Sequence, residues 1–187
     1  MPAEKAGKVN AAGQPVHEAA ETRPLSVTNA DNRIVAAAFR WCWEPLISPL
    51  ITGAQRGFIT GRSMLRNIVD IEDASQRYSL KFGDPATVYF DFSAAFPSLS
   101  RSFLMASLQA AGLPSSAIRA VQGLYMCNSC DLVLNGQRFG RISLERGIRQ
   151  GCPLSPSLFA LYSDSLLRII QTTIPNSVPR ASPTTPP

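Results

Sequence analysis

Four stretches of this chain carry residue types that could do chemistry. In Tyr89–Ser98, YFDFSAAFPS, one carboxylate, Asp91, sits at the end of a β-branched and aromatic run beginning at Thr87. An acid there costs on the order of several kcal/mol if buried without a partner, so it must be exposed, paired or metal-bound. The plain reading is an exposed acid at a strand tip. The second stretch, Thr52–Arg62, holds three glycines and two arginines in eleven residues. Glycine permits close backbone approach and arginine attracts anions, a combination suited to phosphates, although a loop like this in isolation reads as a solvated connection. The third, Glu145–Pro153, has the same character, with Arg146, Gly147, Arg149, Gln150 and Gly151. The fourth is a C-x-x-C, Cys127 and Cys130. The sole histidine is His17, so a four-ligand zinc site would also need Cys42 and Cys152. Free thiols in an intracellular protein, with no disulfide-linked partner, are the simpler reading.

The elements that must position these stretches follow from periodicity and turn chemistry. Asn29 or Asp31 can cap a helix with Ile34, Val35, Ala38, Phe39 and Cys42 on one face, ended or broken by Pro45 and Pro49. Ser63 starts a second helix, with Leu65, Ile68, Val69, Ile71, Ala74 and Tyr78 in near-helical spacing. A strand to Phe92 follows. Ser98 or Ser100 caps a third helix through Phe103, Leu104 and Leu108, closing at Gly112. Pro114 and Ser115 open a fourth, with Ile118, Val121 and Leu124 on one face. Residues 130–144 predict a hairpin around Asn135-Gly136. A last helix turns Leu154, Leu158, Phe159, Leu161, Tyr162, Leu166, Leu167 and Ile170 inward. This order predicts an α+β domain, helices packed on a small antiparallel sheet, over residues 23–171. Residues 1–22 lack periodicity and 172–187 are rich in proline, so both are expected to be disordered.

Composition sets the bounds. With 187 residues and 45% hydrophobic content, the chain can bury a real core. The net charge is +5, and fifteen arginines stand against three lysines, a composition compatible with nucleic acid. No apolar run reaches membrane-spanning length and no secretory signal opens the chain, so an intracellular protein is expected, nuclear or cytoplasmic alike.

The segments RPLSVTN…RIV, AQRGFITGRS, YFDFSAAF and RGIRQGCPLSPSLFALY, in that order, resemble the reverse transcriptases of non-LTR (LINE-like) retrotransposons and their group II intron relatives. The resemblance covers residues 23–171 and corresponds to the fingers and the first part of the palm. It implies an RNA-directed DNA polymerase acting on an RNA template, a DNA primer and deoxynucleoside triphosphates. Asp91 matches the family's first catalytic carboxylate, a ligand of Mg²⁺, with the carbonyl of Phe92 completing the contact to one ion. Phe96 matches the aromatic residue set against the sugar 2′ position, a core phenylalanine being the alternative. Gln150 and Gly151 match the nucleotide-pocket loop. Arg33 and Arg62 match basic residues over the triphosphate, supported by Arg23 and Arg56, while Arg146 and Arg149 would track template or primer backbone. For Arg33, Arg62, Arg23 and Arg56 an ordinary surface or structural role is the alternative.

Two departures qualify the resemblance. Pro97 stands where many relatives carry a further acid, one that is not a metal ligand. More seriously, the aromatic-Ala-Asp-Asp segment that supplies the remaining carboxylates is absent, and Asp164, within an apolar-faced helix, cannot replace it. The resemblance therefore implies a fragment with an incomplete palm, incapable of polymerisation alone. The alternatives are a non-catalytic nucleic-acid-binding module and a non-functional retroelement remnant.

Overall fold

A computed structural model describes residues 8–9, 11–13, 15–16, 26–92 and 94–181. The fold is α+β. Near the N-terminus, within the segment expected to be disordered, β1 (Lys8–Val9) pairs antiparallel with β2 (Pro15–Val16). The body begins with α1 (Ala30–Ile47), continued by a 3₁₀ turn, Ser48–Leu50. The helix runs through Pro45, which was expected to end or break it. Proline removes the one N–H bond that position 45 would give the Trp41 carbonyl, and only Leu46 and Ile47 follow it in the helix.

The inward face of α1 also differs from expectation. Ile34, Val35, Ala38 and Cys42 are exposed, whereas Ala36 and Ile47 are buried, with Phe39 stacked on Trp43 between them at 4.7 Å. Both stripes have helical spacing, so periodicity alone does not choose between them. In α2 (Met64–Lys81), Leu65, Ile68 and Val69 likewise face solvent, while Ala74 is buried as expected, Ile71 and Tyr78 are half-buried, and Asn67 is buried as well.

A short turn of helix, α3 (Ala95–Ser98), leads to α4 (Arg101–Ala110). The Ser100 hydroxyl accepts a hydrogen bond from the Phe103 N–H at 3.3 Å, capping α4. Its other end closes in a Schellman arrangement: Gly112, at φ +80°, donates to the Gln109 carbonyl and Leu113 to that of Leu108. Helix α5 (Ser115–Tyr125) buries Val121 and Tyr125, with Ile118 and Leu124 half-buried. Strands β3 (Ser129–Leu134) and β4 (Gln137–Ser143) form the hairpin, with both Asn135 (φ +50°) and Gly136 (φ +78°) left-handed, as a type I′ turn requires. Helix α6 (Ser155–Thr173) buries Leu158, Ala160, Leu161 and Leu167, although Leu166, expected inward, is exposed.

The core is built from helices and loops. Leu99, Leu104, Leu108, Val121, Leu154 and Leu158 are buried together with Ile47, Ile51, Ile59 and Ile148. The expected packing of helices on a sheet is therefore corrected, because every residue of β3 and β4 is exposed. The expected strand over residues 87–92 is absent too; the run belongs to no ladder, and Tyr89 and Phe90 are each 80% exposed. A strand exists only through a neighbour's hydrogen bonds, and no described strand lies beside this one.

Residues 174–181, at the head of the segment expected to be a disordered tail, lie against the body. Ala181 bridges Gln55 in a parallel pair, donating to the Ala54 carbonyl at 3.0 Å and accepting from the Arg56 N–H at 3.1 Å.

Candidate nucleotide and nucleic-acid site

Asp91 stands on the exposed, unpaired run, as does Phe92, and among the described residues its carboxylate has no hydrogen-bond or ion-pair partner. Beyond it the chain is tied down firmly. The N–H of Ile148 donates to the Phe96 carbonyl at 2.9 Å and that of Gly147 to the Leu99 carbonyl at 2.8 Å. These two bonds lay the 145–151 loop along residues 96–99. Gly147 has φ +76°, and a Cβ there would sit 2.6 Å from the Pro97 carbonyl oxygen, so only glycine fits this crossing.

The other stretches converge on the same place. Phe96 stacks on Phe159 at 5.0 Å and meets the edge of Phe58 at 5.9 Å. Phe58, at φ +61°, holds a left-handed backbone that is uncommon outside glycine, and its ring also reaches Phe159 at 6.1 Å. The Thr28 hydroxyl donates to the Gln150 carbonyl at 3.5 Å, and a Cβ on Gly151 (φ +77°) would sit 3.1 Å from the Ser26 carbonyl oxygen. Three of the segments carrying the sequence resemblance thus meet at the Phe58–Phe96–Phe159 cluster, and the first touches the fourth at Gln150 and Gly151. Phe96 is half-buried within it, which fits the core role. Gln150 and Gly151 are exposed at its margin.

The arginines divide into two groups. Arg62, expected over a triphosphate, turns its fork inward instead: Nη1 donates to the carbonyls of Thr52 and Gln55, and Nη2 to those of Ser48 and Ile51. All four Nη hydrogens are used to hold the 48–55 turn, whose carbonyls have no ladder N–H groups to accept from. Arg56 likewise pairs with Asp70 at 2.7 Å and donates to Asn67 at 3.1 Å. Arg149 donates to the Asn128 side chain at 3.1 Å and the Leu124 carbonyl at 2.6 Å, and its guanidinium lies 5.6 Å from the Tyr125 ring centre. Arg33 and Arg146 are exposed. Arg23 lies outside the described residues, as does His17.

Several residues that organise the site escaped the sequence reading. Arg101 donates to the Gly147 carbonyl at 2.9 Å and to the Arg146 carbonyl at 3.1 Å, fastening the 145–151 loop from the first turn of α4. Burial lowers its pKa, opposed by the neighbouring Tyr125. Tyr125, whose hydroxyl lies 3.1 Å from that of Ser155, has its pKa raised by burial. Asp164 is only 3% exposed and ion-paired with Arg168 at 2.9 Å, and it accepts from the Thr52 N–H at 3.1 Å and from the Thr52 hydroxyl. Gln55, in a loop expected to be solvated, is buried and accepts from the Gly57 N–H at 2.7 Å. A buried polar pair leaves no periodic signature, so only the helix-breaking composition of the loop hinted at these contacts.

The structure is thus a domain of helices and a small hairpin, with three of the four segments meeting at one aromatic cluster and the first touching the 145–151 loop. The family profile "Reverse transcriptase (RNA-dependent DNA polymerase)" matches residues 8–180. The Pol polyprotein from type-2 retrotransposable element R2DM of Drosophila melanogaster is 35% identical over 133 residues, covering 71% of this chain and 12% of that protein. The transposon TX1 149 kDa protein of Xenopus laevis is 26% identical over 152 residues, 80% of this chain and 11% of the relative. A Pol polyprotein from type-1 element R2 of Popillia japonica is 27% identical over 154 residues, 81% of this chain and 21% of the relative. The chain belongs to the reverse transcriptase family, in its non-LTR retrotransposon branch. It spans between 11% and 21% of the length of these relatives.

Proposed function

We propose that this chain carries the part of an RNA-directed DNA polymerase domain that faces the nucleotide and nucleic acid, and that alone it does not extend a primer. The convergence of residues 26–28, Phe58, Phe96 and the 145–151 loop supports this reading. It sets the exposed Gln150 and Gly151 on the same loop that crosses the segment following Asp91. In this reading Asp91 and the Phe92 carbonyl face a metal ion, Gln150 and Gly151 meet the incoming deoxynucleoside triphosphate, and Arg33 and Arg146 face phosphates. The RNA template and DNA primer are the remaining partners.

Mg²⁺ is the ion this chemistry uses in the family, where two ions are held by several carboxylates. Among the described residues no group of three or more His, Cys, Asp or Glu side chains could hold a metal ion. One exposed carboxylate does not fit a two-ion site. Primer extension on an RNA template with Mg²⁺ or Mn²⁺ tests the proposal. The expected result is no product. Template-dependent product that persists in Asp91→Ala would mean that the site has been misplaced.

A second reading, a nucleic-acid grip without catalysis, draws support from Arg138 and Arg141 on the exposed hairpin and Arg146 just after it. Filter binding across a salt series distinguishes it: a phosphate grip by three arginines would lose affinity with a log–log slope of about −2 to −3.

A further inference from the structure

We infer that residues 174–181 act as a detachable clasp that fastens α2 to the body and thereby decides whether Arg56 is tied or free. The inference is independent of the polymerase reading. Helix α2 is eighteen residues long, yet it buries only Asn67 and Ala74. Apolar packing of the kind that joins α4, α5 and α6 is thus largely missing from it, and its attachments are polar. Asn67 donates to the Ala181 carbonyl at 2.8 Å, the Tyr78 hydroxyl to the Asn176 carbonyl at 2.6 Å, and Arg180 pairs with Asp70 at 3.2 Å. The same segment grips the 54–56 loop through the backbone pair at Ala181. It therefore touches both sides of the gap between loop and helix.

Arg56 is the residue this arrangement controls. Its guanidinium crosses from the loop to Asn67 and to the same Asp70 oxygen that Arg180 reaches. If α2 departs, both acceptors leave with it. No residue from 174 to 181 is fully buried, so water can replace the bonds of Asn176 and Arg180 as they break, and it reaches the buried Asn67 once α2 lifts. A polar, solvent-edged attachment of this kind opens well before a packed core does.

The test is backbone hydrogen exchange on the full chain, comparing wild type with the Arg180→Ala/Ala181→Pro double variant. The proline removes the N–H given to Ala54, and the alanine removes the ion pair. Exchange across residues 64–81 and at the Arg56 amide is expected to quicken at least tenfold, while α4 and α6 keep their wild-type protection. Arg180→Lys, which keeps the charge, should fall between the two. Unchanged exchange in α2 would overturn the clasp, because α2 would then be held by something else. Equal acceleration in every helix would overturn it as well, because the segment would then be an ordinary part of one cooperative core.

Discussion

The helical body and the extended segments of this protein face the same requirement and meet it differently. Helices α4, α5 and α6 satisfy their backbone internally and bury Leu104, Leu108, Val121 and Leu158 against one another. The run 85–92 and the β3–β4 hairpin leave Tyr89, Phe90, Val133 and Phe139 in solvent, and the run has no hydrogen-bonded neighbour among the described residues. The difference teaches that an α-helix needs only a packing surface, whereas a strand needs another strand. Here the helical part packs against itself, while the strand-forming run shows its unpaired side.

The contrast can be broken experimentally. The largest effect should come from the body: Leu158→Ala, at a site with no exposure, is expected to cost about 3 kcal/mol in denaturant unfolding. Next, Gly147→Ala forces a left-handed residue and a clash with the Pro97 carbonyl, and should cost about 2 kcal/mol. Arg62→Lys should lose about 2 kcal/mol despite keeping its charge, because an ammonium cannot reach four carbonyls at once. By contrast, Phe90→Ser in the exposed run should change stability by less than about 0.5 kcal/mol while reducing aggregation in light scattering. If Phe90→Ser matched Leu158→Ala, the two regions would be equally packed and the contrast would be void.

The smallest expected effect concerns acid. Hydrogen bonding from Arg56, with the charges of Arg56 and Arg180, holds the Asp70 carboxyl below the usual carboxylate range against the upward pull of burial. A depressed folded-state pKa gives stability that is present above the unfolded value, about pH 3.9, and is lost as pH falls through the folded one. Wild type should therefore lose this contribution only below about pH 4. Asp70→Asn should be less stable at neutral pH and show a shallower acid limb in a thermal-melt series.

Much of this was legible in the chain itself. The Asn135-Gly136 turn, the Ser100 cap, the Gly112 stop and the apolar face of α6 were all readable, because each rests on backbone preferences carried by a few neighbouring residues. The order of the four family segments was readable too. Tertiary structure alone decided which stripe of α1 and α2 turns inward, since two faces of each helix carry apolar side chains and only the partner surface selects one. It also decided that Arg56, Arg62 and Arg149 hold loops together and that Asp164 is buried in an ion pair. A guanidinium goes to whichever acceptors folding strips of water: Arg62 reaches carbonyls 7 to 14 residues back, whereas Arg180 reaches Asp70 110 residues away. No local pattern can encode such a partner.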